Sequence, residues 1–181
     1  DDTRNGYQYI YSRFLDSLGN PLGNESVAVI DSMANYGSWG VVDEGLGKYI
    51  LPISCDRESI AVALREYNYS GLPVSPFIIL NEYPTEFYYV AGTKGIDRYL
   101  FVWLGINRTR VWGQFLNDSL SKIGNNFLVA EDTVAYKETF TVVSNDNGYF
   151  FAAWDDSRMG NSDIYGQFFD STGNRINTNF K

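Results

Sequence analysis

Four stretches of this chain repeat nearly the same phrase at a spacing close to fifty residues, and that period constrains the fold more than anything else in the sequence. With Ile164 of DIYGQFF placed on Ile10 of YIYSRFL, the phrase returns as RVWGQFL with Val111 in that place, and more faintly as IAVALREY with Val62. The separations are 52 (10 to 62), 49 (62 to 111) and 53 (111 to 164) residues. A fixed period of this size marks small units stacked in a row, not one irregular core.

Each phrase runs into a turn: DSLG at 16–19, NYSG at 68–71, NDSL at 117–120 and DSTG at 170–173. Asp or Asn in first place caps the turn with its short polar side chain, and Gly in fourth place accepts a positive φ. Leu120 stands where the other three copies have Gly, so a strained or differently shaped turn is expected there.

The third unit reads as PTEFYYVAG, RYLFVW, RVWGQFL and NNFLVAE, and the fourth as ETFTVVS, YFFAAW and DIYGQFF. Short runs rich in Val, Phe, Tyr and Trp between Gly, Asn and Asp clusters are strand signals, and no sustained helical period competes with them. Four antiparallel strands in about fifty residues make a β-propeller blade. Within DIYGQFF, Tyr165, Gln167 and Phe169 share one face while Ile164, Gly166 and Phe168 share the other. Both faces are largely apolar, as in a strand held between two neighbours; a row of β-sandwich domains would need longer units. The expected organisation is all-β: a half blade at 1–33, blades at 34–84 and 85–135, and an incomplete blade at 136–181, forming an open arc or part of a larger ring. Pro52 is expected to interrupt the second strand of the second unit. Exposed blade faces at the ends call for the remaining blades of a parent protein or another copy.

WDDSRMGNSDIYGQFFDSTGN, with its Trp, Asp, Arg, Gly, Asp-Ile-Tyr strand, Gln, Phe-Asp and closing Gly, resembles the repeat of many secreted bacterial β-propellers. The resemblance is close at 154–174, good at 1–20, partial at 99–117 and poor at 47–71. It implies the propeller fold and a secreted or cell-surface protein, but no reaction, because the family has no uniform activity. SNDNGYFF at 144–151 resembles the Asp-box of sialidases, in which the box is a structural turn away from the catalytic centre. It occurs once, and the equivalent GTKGIDRYL and DEGLGKYI do not match.

The chemistry is narrowed by what the sequence contains. Its 22 acidic against 14 basic residues give a net charge of −8, which repels phosphate backbones and argues against a nucleic-acid partner. No apolar run of about 18 residues is present to insert into a membrane. The opening Asp1-Asp2-Thr3-Arg4 falls in mid-motif and reads as part of a longer precursor. With no histidine in the chain, Ser-His-Asp and Cys-His nucleophiles and histidine-ligated zinc are ruled out. The lone Cys55 has no internal disulfide partner and reads as a small buried hydrophobe. No Gly-rich phosphate loop is present. No catalytic residue or resident cofactor is assigned.

Two patterns remain. Between the second and third strands, acidic, Asn and Arg residues recur as Asp2/Arg4, Asp56/Arg57, Asn107/Arg108 and Asp155/Asp156/Arg158. These are either a ring of ligand contacts or calcium ligands, or ion-paired loop staples; recurrence in every unit favours the staple. Asp followed by Ser or Thr and then an apolar residue or Thr occurs at 16, 31, 118, 132 and 170, where chance supplies about one case. This is similar to the O-glycosylation sequon that a large group of Gram-negative bacteria uses on exported proteins, which implies glycans on Ser17, Ser32, Ser119, Thr133 and Ser171. The alternative is turn chemistry copied with the repeat, since 16 and 170 share a register, as do 31 and 132. Asn-Xaa-Ser/Thr acceptors stand at Asn24, Asn68, Asn107 and Asn117. The expected function is non-enzymatic: a binding or surface-scaffold segment of an exported protein, presenting rim loops to a protein or glycan ligand. A carbohydrate-active enzyme and a self-assembling structural element are the alternatives.

Overall fold

The computed structural model describes residues 10–29, 40–45, 47–56, 60–82 and 89–181. Asp2, Arg4, Ser32 and Arg57 lie outside the described residues, as do the side chains of Cys55 and Asp56. The described chain forms fourteen strands in four antiparallel sheets. The first sheet pairs β1 (Ile10–Leu15) with β2 (Pro21–Val29). The second contains β3 (Val42–Gly45), β4 (Lys48–Asp56), β5 (Ile60–Asn68) and β6 (Ile78–Ile79). The third contains β7 (Val90–Lys94), β8 (Arg98–Leu104), β9 (Val111–Asn117) and β10 (Lys122–Leu128). The fourth contains β11 (Phe140–Ser144), β12 (Phe150–Asp156), β13 (Asp163–Phe169) and β14 (Arg175–Phe180). Each larger sheet is a simple meander in which sequence neighbours pair. Helix among the described residues is limited to one 3₁₀ turn at Ile106–Arg108.

Val62, Val111 and Ile164 fall in β5, β9 and β13, each the third strand of its sheet, and Ile10 falls in β1, which runs through the same kind of turn into its partner β2. The repeat is therefore structural. β11 lies against β7, and β7 against β3 and β4, so successive sheets stack along their first strands as propeller blades do. Three separate apolar layers lie between the sheets. Ile10 and Phe14 pack on Tyr49, Leu51, Ile53 and Tyr67. Val62, Leu64 and Leu80 meet Tyr99, Phe101 and Trp103. Leu100, Val102, Leu104 and Phe115 meet Phe150, Trp154 and Phe169. Alternating side chains on β8 thus serve two different layers, which is why the strand reads as a continuous apolar run.

Three expectations are corrected. The last unit is not short of a strand, because Arg175–Phe180 closes it. RINTNF is polar at most positions because it is an edge strand with mostly exposed side chains, so it gives little apolar signal. The fourth strand of the third unit lies at Lys122–Leu128, earlier than the apolar run NNFLVAE, and a bulge between Ile123 and Phe127 splits its register. Finally, β4 runs unbroken through Pro52, which pairs with Leu64. The ladder from β3 reaches no farther than Ile50, so Pro52 interrupts no pairing on that side.

The repeated turns share one geometry. Asp16, Asn68, Asn117 and Asp170 each accept, on Oδ1, backbone N–H groups two and four residues later at 2.8–3.0 Å. The fourth residue sits at positive φ: 83° at Gly19, 77° at Gly71, 59° at Leu120 and 88° at Gly173. Leu120 therefore keeps the shape and accepts the strain, with its side chain 8% exposed in the layer between the second and third sheets. SNDNGYFF folds into the same turn, capped by Asn145, not Asp146, with Gly148 at 77°. The Asp-box resemblance corresponds here to a β11–β12 hairpin.

Candidate functional site

A meander of four strands places its second-to-third loop and the connection to the next sheet at one rim, and its two hairpin turns at the other. Residues 105–110, 129–139 and 157–162 accordingly gather at a loop rim, where Lys137 N–H donates to the Arg108 carbonyl at 2.7 Å and Ser157 N–H to that of Tyr136 at 3.2 Å. The capped turns occupy the opposite rim.

On the loop rim the fourth sheet carries a buried ionic cluster. Asp156, at the end of β12, accepts from Arg158 Nη2 at 2.5 Å and Arg158 N–H at 3.0 Å, and its Oδ2 lies 3.4 Å from Lys137 Nζ. Trp154 Nε1 donates to it at 3.3 Å. Lys137 also donates to the carbonyls of Thr109 at 3.0 Å and Ala135 at 2.9 Å, and to Asp132 at 3.5 Å. The Arg158 guanidinium lies 4.0 Å over the Tyr165 ring. Burial alone would raise the Asp156 pKa, but the Arg158 bonds, Lys137 and Trp154 outweigh it and hold the carboxyl at about 2. These contacts turn Asp156 inward and tie the fourth sheet to the Thr109 loop of the third, as a staple does. Among the described residues no group of three His, Cys, Asp or Glu could hold a metal ion.

The third sheet carries different loop chemistry. Asn107 and Arg108 both take positive φ, 59° and 52°, a strained pairing for residues with a Cβ. Arg108 Nη1 donates to the Tyr136 hydroxyl at 2.8 Å and stands 3.8 Å from Glu138. Asp155 fixes the segment beneath by accepting from the N–H groups of Glu138 at 2.7 Å and Thr139 at 2.6 Å. Between β7 and β11 these residues open a 340 Å³ pocket lined by Tyr89, Ala91, Arg108, Glu138, Thr139, Phe140 and Thr141. A cation, a carboxylate, hydroxyls and two aromatic rings converge there, the mix that recognises a polar ligand with an apolar face. A second groove of 540 Å³ runs between β1–β2 and the next sheet, with Phe14, Leu22, Val41 and Tyr49 in its walls.

The acidic pair Glu44 and Glu66 is on the other rim. Tyr99 donates its hydroxyl to Glu44, and Lys48 Nζ stands 2.8 Å from Glu66. Burial raises the Glu44 carboxyl, while Glu66 is held low by Lys48 and Glu44 against its own burial.

The sequon residues do not share a rim. Ser17, Ser119 and Ser171 follow the turn caps on the turn rim, whereas Thr133 lies on the loop rim in the 129–139 connection. Ser17 and Ser119 are exposed; Ser171 and Thr133 are half-buried. Ser119 Oγ donates to Asn117 at 3.0 Å.

One set of residues was missed in the sequence. Three positions after each anchor stands Arg13, Arg65, Gln114 or Gln167, and each donates to a carbonyl ten residues later: Gly23 at 3.2 Å, Gly124 at 3.2 Å and Asn177 at 3.3 Å in the adjacent strand, and Ser75 at 2.9 Å in the segment leading into β6. In the last two units an Asn joins the clasp. Asn126 bonds Gln114 and the Glu82 N–H, and Asn179 bonds Gln167 and the Glu131 N–H. The signal was present in the aligned phrases as a polar residue at one register, buried in the two Gln copies, but its partner carbonyls cannot be read from side-chain identity.

No protein-family model and no curated protein matches the chain. Topology and internal repeat define it as an array of propeller-type blades.

Proposed function

We propose that this chain is a non-enzymatic binding and scaffold segment of an exported β-propeller protein, with its ligand surface on the loop rim around Arg108. The observation that carries this reading is the pocket between β7 and β11, where strained Asn107 and Arg108 place a guanidinium beside Glu138, Tyr89 and Phe140. Non-glycine residues held at positive φ mark sites where side-chain direction matters more than backbone comfort. The nearby ionic groups are otherwise engaged, since Lys137 and Arg158 both pair with Asp156, which favours binding over acid–base catalysis. Export is supported by the resemblance of residues 154–174 to secreted bacterial propeller repeats. A separate resemblance, to Gram-negative O-glycosylation sequons, supports O-glycans on Ser17, Ser32, Ser119, Thr133 and Ser171, and intact-mass measurement on natively expressed protein tests them. A bare polypeptide mass removes that part.

The test of the binding role is a panel of immobilised glycans and fluorogenic glycosides presented to the whole chain. Binding without turnover, lost on Arg108→Ala, is the expected result. Turnover of any glycoside would replace the proposal with the carbohydrate-active enzyme, and binding untouched by Arg108→Ala would move the site elsewhere.

A further inference from the structure

The internal repeat supplies a template for what should cover the outer face of the last sheet. In the third sheet Phe115 and Phe127 stack at 5.3 Å, and their exposed side is closed by Phe150 and Phe169 of the fourth sheet at 5.4 to 5.8 Å. In the fourth sheet the same pair recurs 53 residues later as Phe168 and Phe180, stacked at 5.5 Å. In both sheets an aromatic ring lies close over the strand's glycine. A Cβ at Gly113 would meet Phe127 at 2.7 Å, and one at Gly166 would meet Phe151 at 2.5 Å. The construction is the same but the burial is not: Phe115 is 6% exposed and Phe168 42%. Phe151, Val143 and Ile164 extend this face into a continuous apolar surface, the kind that soluble proteins rarely leave open.

The opposite end of the array carries one residue from the complementary half of the template. Leu15 holds the register of Phe169 in β1, the side chain that closes Phe115 in the internal junction. It points away from the Phe14 layer and is 57% exposed. Among the described residues, Phe168 and Phe180 at one end and Leu15 at the other are thus the exposed counterparts of side chains that meet in an internal junction.

We propose that a second copy of this chain docks head-to-tail, seating the outward face of its β1–β2 hairpin, through Leu15, on the Phe151–Phe168–Phe180 face of the first. Such a contact is heterologous, so it closes into a ring or runs on as a filament according to its rotation. Among the described residues each copy brings three four-stranded sheets and one two-stranded sheet, so two copies bring six full sheets and two half sheets, within the ordinary range of about 4 to 8 blades in a ring. A closed pair is therefore the expected end state. The proposal rests on the blade-array reading but not on the rim ligand, so assembly and glycan binding succeed or fail separately.

The experiment is light scattering on the whole chain over a wide concentration range. The expected mass is twice 20.5 kDa at high concentration, falling toward the single chain on dilution. Phe168→Glu and Leu15→Glu should each reduce the protein to the single-chain mass with the far-ultraviolet strand spectrum unchanged. Mixing the two variants should restore a pair, because one intact tail then meets one intact head. A wild-type chain of single mass at every concentration overturns the proposal. So does an assembly that Phe168→Glu abolishes but Leu15→Glu leaves intact, since that is a face-to-face dimer.

Discussion

The third and fourth sheets are near-copies, and their differences separate what a repeat encodes from what a neighbour supplies. Both carry the Gln clasp, the Asx-capped turn and the stacked Phe pair. These are properties of one sheet, fixed by residues close in sequence. They differ in the burial of the Phe pair and in the loop rim, where one copy turns an Asp-Arg pair inward and the other points Arg108 into a pocket. Within-sheet order therefore comes from the repeated phrase, and energetics and chemistry come from what is packed beside it.

The largest test of that distinction is a matched truncation. Phe115→Ala opens a cavity among Phe127, Phe150 and Phe169 and should cost about 3–5 kcal/mol. Phe168→Ala, with the same partner in its own sheet and nothing described above it, should cost about 1 kcal/mol in dilute solution. Urea titrations of the two variants measure the difference. Equal costs would mean that the within-sheet contact, not the neighbour, carries the energy.

The next comparison is between the two loops. Asp156→Ala leaves Lys137 buried without its nearest carboxylate, a change that should cost about 3 kcal/mol, the low end for a broken buried pair. The low end applies because Asp132 and the carbonyls of Thr109 and Ala135 still hold the ammonium. Arg108→Ala, in the partly exposed pocket wall, should cost less than about 1 kcal/mol. Asp156 also gives the fold an acid limit. Its folded pKa of about 2 lies below the ordinary 3.8, so its contribution is complete above the higher value and is lost as pH falls toward the lower one. Asp156→Asn should flatten part of that acid slope. Only part is expected, because Asp170, bonded by Thr172 and Asn174, is also held at about 2. An unchanged slope would show that the cluster does not titrate as a unit with folding.

Much of this architecture was legible in the sequence, because turn caps and alternating apolar residues act over a few positions. YFFAAW and DIYGQFF could be placed as strands from their own residues. β14 could not, since RINTNF is an edge strand recruited by pairing with β13, and its polar side chains gave no period to read. The rim was less legible still. Asp156 and Arg158 stand two residues apart and could be paired on paper, but Lys137 enters the cluster from another loop, and no spacing announces it. Asn107 and Arg108 gave no sign of their positive φ.

A smaller effect separates the clasps from ordinary side-chain bonds. Gln167 Nε2 donates to the carbonyls of Phe168, Ile176 and Asn177 while its oxygen accepts from Arg175 and Asn179. Truncation strands several buried partners at once, so Gln167→Ala should cost about 1–3 kcal/mol. Gln114→Ala has the same inner partners and one Asn, but no Arg at the corresponding bond, and should fall lower in that range. Hydrogen exchange at Asn177 and Gly124 reports whether the bulged fourth strand loosens in each variant. Protection that survives both substitutions would leave the clasp without a structural role.

The finest comparison is between Leu120 and Gly173, which hold the same turn position in adjacent sheets. A left-handed Leu costs about 1–2 kcal/mol of backbone strain, whereas burying its side chain returns about 1.5–3 kcal/mol. At 120 the side chain enters the apolar layer between the second and third sheets, so Leu120→Gly relieves strain but loses packing and should destabilise by about 1 kcal/mol or less. At 173 the exchange cannot be made. A Cβ there would meet the Phe115 ring at 3.1 Å, so Gly173→Leu adds strain and finds its space already filled. Thermal unfolding of the two variants gives the comparison directly. A rise in midpoint for Leu120→Gly would show that the turn, not the layer beneath it, decides which residue that position keeps.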